Sequence, residues 1–217
     1  MADTQTLHDA FLDELRDTYD AEKQLLKALP KMAKAASSDE LRSAFETHRD
    51  ETSEQIARLE QVFGMLDQKV RGKHCSGMAG IIEEAKSMMS EDFDDATMDA
   101  CLVAGGQRAE HYEIAAYGTL VAWANVLGHT EAAGLLEETL NEEKATDEAL
   151  TALAEGGLNE AAAGSGEDEE DGEEDADEDD DTEAEEPAPV KATGGRKGQA
   201  QTPAPAVGGR KTTKTTR

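Results

Sequence analysis

Four long segments of this chain repeat apolar residues every three or four positions, and near the middle of each the repeat is broken by acids. That pattern admits little except long amphipathic helices packed around a shared interior. From Leu7 to Ala36 the positions Leu12, Leu15, Tyr19, Leu26, Leu29 and Ala33 describe one buried helix face, with Pro30 predicted to kink the helix or mark its last turns. Ser37-Ser38-Asp39-Glu40 reads as a turn with an N-cap. The second stripe follows it, as Leu41, Ala44, Phe45, Thr52, Ile56, Leu59, Val62, Phe63 and Leu66. A third helix is predicted from about Asp94 to Leu127 and a fourth from about Thr130 to Ala154, joined at the short Gly128-His129 break.

The link between the second and third helices is much longer. Asp67 to Phe93 contains Gly72, Gly77 and Gly80 and a short amphipathic piece, Met78 to Met89. A tight antiparallel turn needs only about 2–8 residues, whereas a connector of this length travels the full height of a bundle. Two antiparallel hairpins joined by one long crossover containing a short helix is ferritin-like connectivity. The expected fold is therefore an all-α, ferritin-like four-helix bundle.

Composition sets the edges of that bundle. From Gly164 to Glu186 there are 16 acidic and no basic residues, and from Pro187 to Arg217 there are 7 basic and no acidic ones, with little that is large and apolar. Neither stretch buries enough surface to offset the entropy of ordering. The chain is accordingly divided into a helical bundle over 1–160, an acidic disordered segment over 161–186 and a basic Pro/Gly/Thr-rich disordered tail over 187–217. Net charge is −28 for the whole chain. The 33 acidic against 14 basic residues outside the tail make the body acidic as well, which repels nucleic acid and anionic membrane and favours solubility. The basic tail, with GGRK at Gly194 and again at Gly208, leaves only a weak contact with nucleic acid open. Nothing approaches the roughly 20 apolar residues of a membrane span, and MADTQTLHDAF lacks the features of a signal peptide, so a cytoplasmic protein is expected. Cys75 and Cys101 show no CxxC spacing and read as reduced thiols.

The acids that break the stripes are Glu22 on the first helix, Glu51 beside His48 on the second, Glu110 and Glu113 on the third, and Glu143 and Asp147 on the fourth. In an antiparallel hairpin, residues equally far from the turn lie side by side. Glu22 stands 15 residues before Ser37 and Glu51 14 after it, while Glu113 and Glu143 each stand 15 from Gly128. All four helices should then offer carboxylates to one layer, roughly 22 Å from the hairpin ends. Like charges packed together in a low dielectric require compensation. Bound metal supplies it, and an oxygen-rich set with one imidazole suits iron or manganese, two ions per chain. Protonation, or ion pairs from Lys23, Arg49 and Arg108, would also supply it.

The segments DELRDTYDAEKQLLKALPKMAKAA, LRSAFETHRDETSEQIARLEQVF, CSGMAGIIEEAK, AEHYEIAAYGTLVAWA and LLEETLNEEKATDEAL, in that order, resemble the YciE/YciF-like family of ferritin-like proteins. The resemblance implies a pair of helical hairpins with a di-metal centre, and induction under stress. Di-iron bundles take one Glu from each of two helices and Glu-x-x-His from each of the others. Here Glu22 and Glu113 match the single glutamates. The second helix shows His48-x-x-Glu51, the motif reversed, and the fourth shows Glu143 with Thr146 where His would stand and Asp147 next to it. The expected metal set is Glu22, His48, Glu51, Glu110, Glu113, Glu143 and Asp147.

Iron bound there would react with oxygen or peroxide, with Tyr19, Tyr112 and Tyr117 flanking the layer as core residues or as hydrogen-bond and electron donors. The alternative function is a metal-free helical scaffold or an oligomerising protein that protects other components during stress. A homodimer or higher homo-oligomer is expected in either case. The pair Gly105-Gly106 inside the third helix points to close approach of another helix or of the crossover.

Overall fold

The computed structural model describes residues 5–164, and all regular structure within that range is helical. The acidic and basic tail segments lie outside the described residues. Helix α1 spans Leu7–Ala35, α2 Asp39–Met65, α3 Ser76–Met88, α4 Asp95–Val126 and α5 Thr130–Leu153. A π-helical turn, Ala154–Leu158, and a short α6, Asn159–Gly164, continue past α5 and end four residues beyond the boundary expected at 160.

Local chemistry explains where the helices start and stop. Thr6 and Asp9 form a reciprocal capping box at α1, the Thr6 amide donating to Asp9 Oδ2 at 2.8 Å and the Asp9 amide to Thr6 Oγ1 at 3.3 Å. Ser38 Oγ accepts from the Leu41 amide to cap α2, and an Asp94 carboxylate oxygen accepts from the Thr97 amide to cap α4. At the end of α4 the His129 amide donates to the Ala124 carbonyl across Gly128, whose φ of 81° is the left-handed conformation such a stop requires. Asp67 takes the same role after α2 at φ 54°, with the Gln68 amide reaching the Phe63 carbonyl. Pro30 lies inside α1, which runs on to Ala35.

Cross-helix bonds fix the topology. Tyr19 Oη donates to Glu60 Oε1 at 2.8 Å and Arg42 Nη2 to the Ala36 carbonyl at 2.9 Å, so α1 and α2 are antiparallel. Gln107 Nε2 donates to Thr151 Oγ1 at 2.8 Å, and His111 meets Asp147 at 3.2 Å, so α4 and α5 are antiparallel too. Asp99 meets Ser37, and Tyr117 meets Glu22, which makes α4 antiparallel to α1 and therefore parallel to α2. Two parallel helices in sequence cannot be joined by a tight turn, and residues 66–94 with α3 make the crossing against α1 and α4. Gly105 admits this strap: a Cβ there would lie 3.2 Å from Met88 Cε. At Gly106 a Cβ would lie 3.1 Å from Leu150 and 3.2 Å from Phe45, so each glycine of the pair serves a different neighbour.

The apolar interior is in two parts. One, around Leu25, Leu29, Phe45, Met78, Leu102 and Leu150, fills the end where α1 turns into α2. The other, around Phe11, Leu15, Leu59, Phe63, Tyr117 and Leu136, fills the end where α4 turns into α5. A polar layer separates them.

Candidate metal centre

The layer is built from the inward register of each helix. On α1, Glu22 falls between buried Tyr19 and Leu25. On α2 the buried positions run Leu41, Phe45, His48, Thr52, Gln55 and Leu59, a three-and-four alternation that turns His48 inward. Glu110 and Glu113 are buried on α4, and Glu143 is buried on α5 between Thr139 and Leu150. The four carboxylates and the imidazole are each 2% exposed or less.

One ligand atom from each of His48, Glu110, Glu113 and Glu143 lies within 4.8 Å of the others, as a metal site requires. His48 Nε2 is 3.2 Å from Glu110 Oε1 and 3.9 Å from Glu143 Oε2. Glu22 closes the layer from α1, and Tyr117 donates its hydroxyl to Glu22 Oε1. Tyr117 follows Glu113 by one turn on the same face of α4, which is the signal in the sequence for this contact. Tyr19 and Tyr112 flank the layer without joining it. Their hydroxyls donate to Glu60 and to Asp17, and that of Tyr112 also meets Cys75 Sγ at 2.9 Å.

Two of the expected ligands are placed elsewhere. Glu51, three residues from His48, is turned roughly 60° off the inward line, and its side chain is 40% exposed at the rim, 3.5 Å from His48 Nδ1. Asp147 faces α4, where His111 Nε2 lies 3.2 Å from one carboxylate oxygen and Gln107 donates to the other at 3.4 Å. The three cations considered as internal partners also stay outside. Lys23 sits over the Tyr19 ring, Arg49 pairs with Asp50, and Arg108 reaches Met88. Arg58 is the nearby guanidinium that sequence reasoning missed, and Glu142 and Thr139 hold it at 2.8 and 2.6 Å.

The electrostatic result is strained. Burial raises the pKa values of Glu22, Glu110 and Glu113 well above the ordinary 4.5, and neighbouring carboxylates raise them further: Glu143 acts on Glu22 and Glu110, and Glu22 on Glu113. Glu143 is raised by burial and partly restored by His48. Glu22 Oε2, Glu110 Oε2, both oxygens of Glu113 and both oxygens of Glu143 are buried without a hydrogen-bond donor, and the neighbours of His48 Nε2 are carboxylate oxygens. Orphaned acceptors in this number normally cost too much to persist, and a cation bound by them removes the cost. Carboxylate oxygens with one imidazole are a donor set that can hold a metal ion.

A measurable pH dependence follows for the metal-free protein. In the unfolded chain these carboxyls lose their protons near pH 4.5, but in the folded protein they keep them to higher pH. Their contribution to stability is complete below that value and is lost as pH rises toward the folded pKa, by about 1.4 kcal/mol per pH unit for each group that remains protonated. Urea unfolding in the presence of chelator should therefore show stability falling from pH 5 to pH 8, with a shallower fall in Glu113→Gln. Equal slopes for the two proteins would contradict the burial described here.

Relatives share this architecture. The chain is 46% identical over 159 residues to protein YciF of Escherichia coli K12, an alignment covering 73% of this chain and 96% of that protein. The crystal structure of YciF, described as a stress protein, superposes with a TM-score of 0.70 over 72% of this chain and 99% of its own. YcfI of Rhodopseudomonas palustris, described as a candidate structural protein, superposes with a TM-score of 0.68 at 47% identity, covering 69% of this chain and 96% of its own. The family model described as Domain of unknown function (DUF892) matches residues 6–163, and the chain belongs to that family.

Proposed function

We propose that this is a ferritin-like, stress-associated protein whose buried layer binds a pair of redox-active metal ions, iron or manganese, and uses them to consume oxygen or peroxide. The observation that carries the reading is the set of buried carboxylate oxygens without hydrogen-bond donors, gathered with the His48 imidazole from α1, α2, α4 and α5. Glu110, Glu113, Glu143 and His48 would hold the metal directly, with Glu22 completing the layer. When bound, two Fe(II) ions supply one electron each to oxygen or peroxide. The protein positions the ligands on four rigid helices, excludes bulk water with an apolar plug on either side, and holds the Glu22 carboxylate in place through Tyr117. The description of YciF as a stress protein supports the stress association. Assembly into a homodimer or higher homo-oligomer belongs to the same proposal, and analytical ultracentrifugation tests it.

Metal analysis of protein purified without chelator should find two ions per chain. Anaerobic loading with Fe(II) followed by exposure to oxygen should then consume oxygen in proportion to the iron bound. Natural protein that is metal-free, and that takes up neither Fe(II) nor Mn(II) when supplied, would leave the scaffold function in its place.

A further inference from the structure

The side chains of the layer are each 2% exposed or less, so a cation needs a way in. A groove of about 500 Å³ runs between α2 and α5, with Thr47, His48, Glu51, Ala145, Thr146 and Ala149 among its walls. Its inner end is therefore a member of the buried cluster. Resting on the metal-binding reading above, we propose that this groove is the port through which a divalent cation reaches the layer, with Glu51 as the carboxylate that passes it to His48.

Three observations converge on this. First, Thr146 stands on the α5 wall with Oγ1 3.5 Å from His48 Nδ1, and the alanines beside it keep that wall thin where a larger side chain would seal it. Second, Glu51 is an acid that both meets water and touches the cluster without a cationic clamp. Glu142 is held by Arg58 and Gln55, and Asp147 by His111 and Gln107, so a passing ion would have to break those bonds first. Glu40 adds a second carboxylate to the groove. Third, two other openings in the bundle carry cations of their own. The cavity between α1, α3 and α4 carries Lys27, Lys31 and Lys86, and that between α1 and α2 carries Lys34, Arg42 and Arg49. No member of the buried cluster lines either of them.

Cobalt(II) uptake by the metal-free, full-length protein tests the port, because the visible spectrum of the ion changes when it leaves water for protein ligands. Glu51→Gln and Ala149→Phe should each slow uptake by about tenfold or more and leave the final stoichiometry unchanged. Ala28→Phe, in the lysine-bearing cavity, should load at the natural rate. Thr47→Phe replaces Ala149→Phe should the latter lose helix content by circular dichroism. Natural rates in both groove variants overturn the port, as does slowing by Ala28→Phe of the same size. Loss of stoichiometry in Glu51→Gln makes Glu51 a ligand and overturns its relay role. A natural protein that binds no cobalt at equilibrium overturns the metal reading itself, and the port with it.

Discussion

Glu113→Leu combined with Glu143→Leu is expected to abolish metal binding and, in the same molecule, to raise the melting temperature of the metal-free protein. The two side chains bring four buried carboxylate oxygens without hydrogen-bond partners to the layer. Replacing poorly compensated buried ionic groups with apolar ones of similar volume is commonly stabilising by about 1–4 kcal/mol. For a domain of this size, a gain near 2 kcal/mol corresponds to roughly 4–8 °C. Saturating metal should carry the natural protein further, since a ligand at about a thousand times its dissociation constant adds roughly 4 kcal/mol. Calorimetry should thus rank natural protein with metal first, the double variant second and natural protein with chelator last. A double variant that melts below the chelated natural protein, or that still holds metal, contradicts the account of the layer.

The second large effect lies outside the polar layer. Asp99, on α4, is 2% exposed and accepts from the Ser37 amide at 2.8 Å, the Ser37 hydroxyl at 2.6 Å and the Ser38 amide at 2.8 Å. It ties the α1–α2 turn to α4 and satisfies two backbone donors ahead of α2. Asp99→Ala removes the acceptor and strands those donors, at an expected cost of about 3–4 kcal/mol, or roughly 10 °C. Asp99→Asn, which keeps one acceptor oxygen, should fall between. Metal stoichiometry should be unchanged in both. Urea unfolding measures the cost, and a loss below about 1 kcal/mol would show that water replaces the carboxylate there.

The helices were legible because their stripes are long and their caps are local. Thr6, Ser38 and Asp94 each bond an amide three residues ahead, within reach of a short reading window. The parallel run of α2 and α4 followed from connector length alone. Glu22, Glu113 and Glu143 stood out as charges inside buried registers, and the structure faces them toward one another. The hairpin count gives height and not azimuth: of the two residues expected on α2, His48 lies on the line of Phe45, Thr52 and Gln55, while Glu51 stands at the rim beside it. Asp147 sits one position past the expected histidine, and that step was enough to turn it to His111. Asp99 and Arg58 gave no local signal, since their partners lie 62 and 84 residues away in sequence.

The division of the interior has a mechanical reading. Four long rods are gripped by greasy collars at top and bottom, and between the collars runs a waist with few bonds of its own. Stripped of ions, the waist should be the place where amides exchange with deuterium first, with the collars still intact. Loading would tighten it into a girdle, and metal supply would then set the stiffness of the bundle.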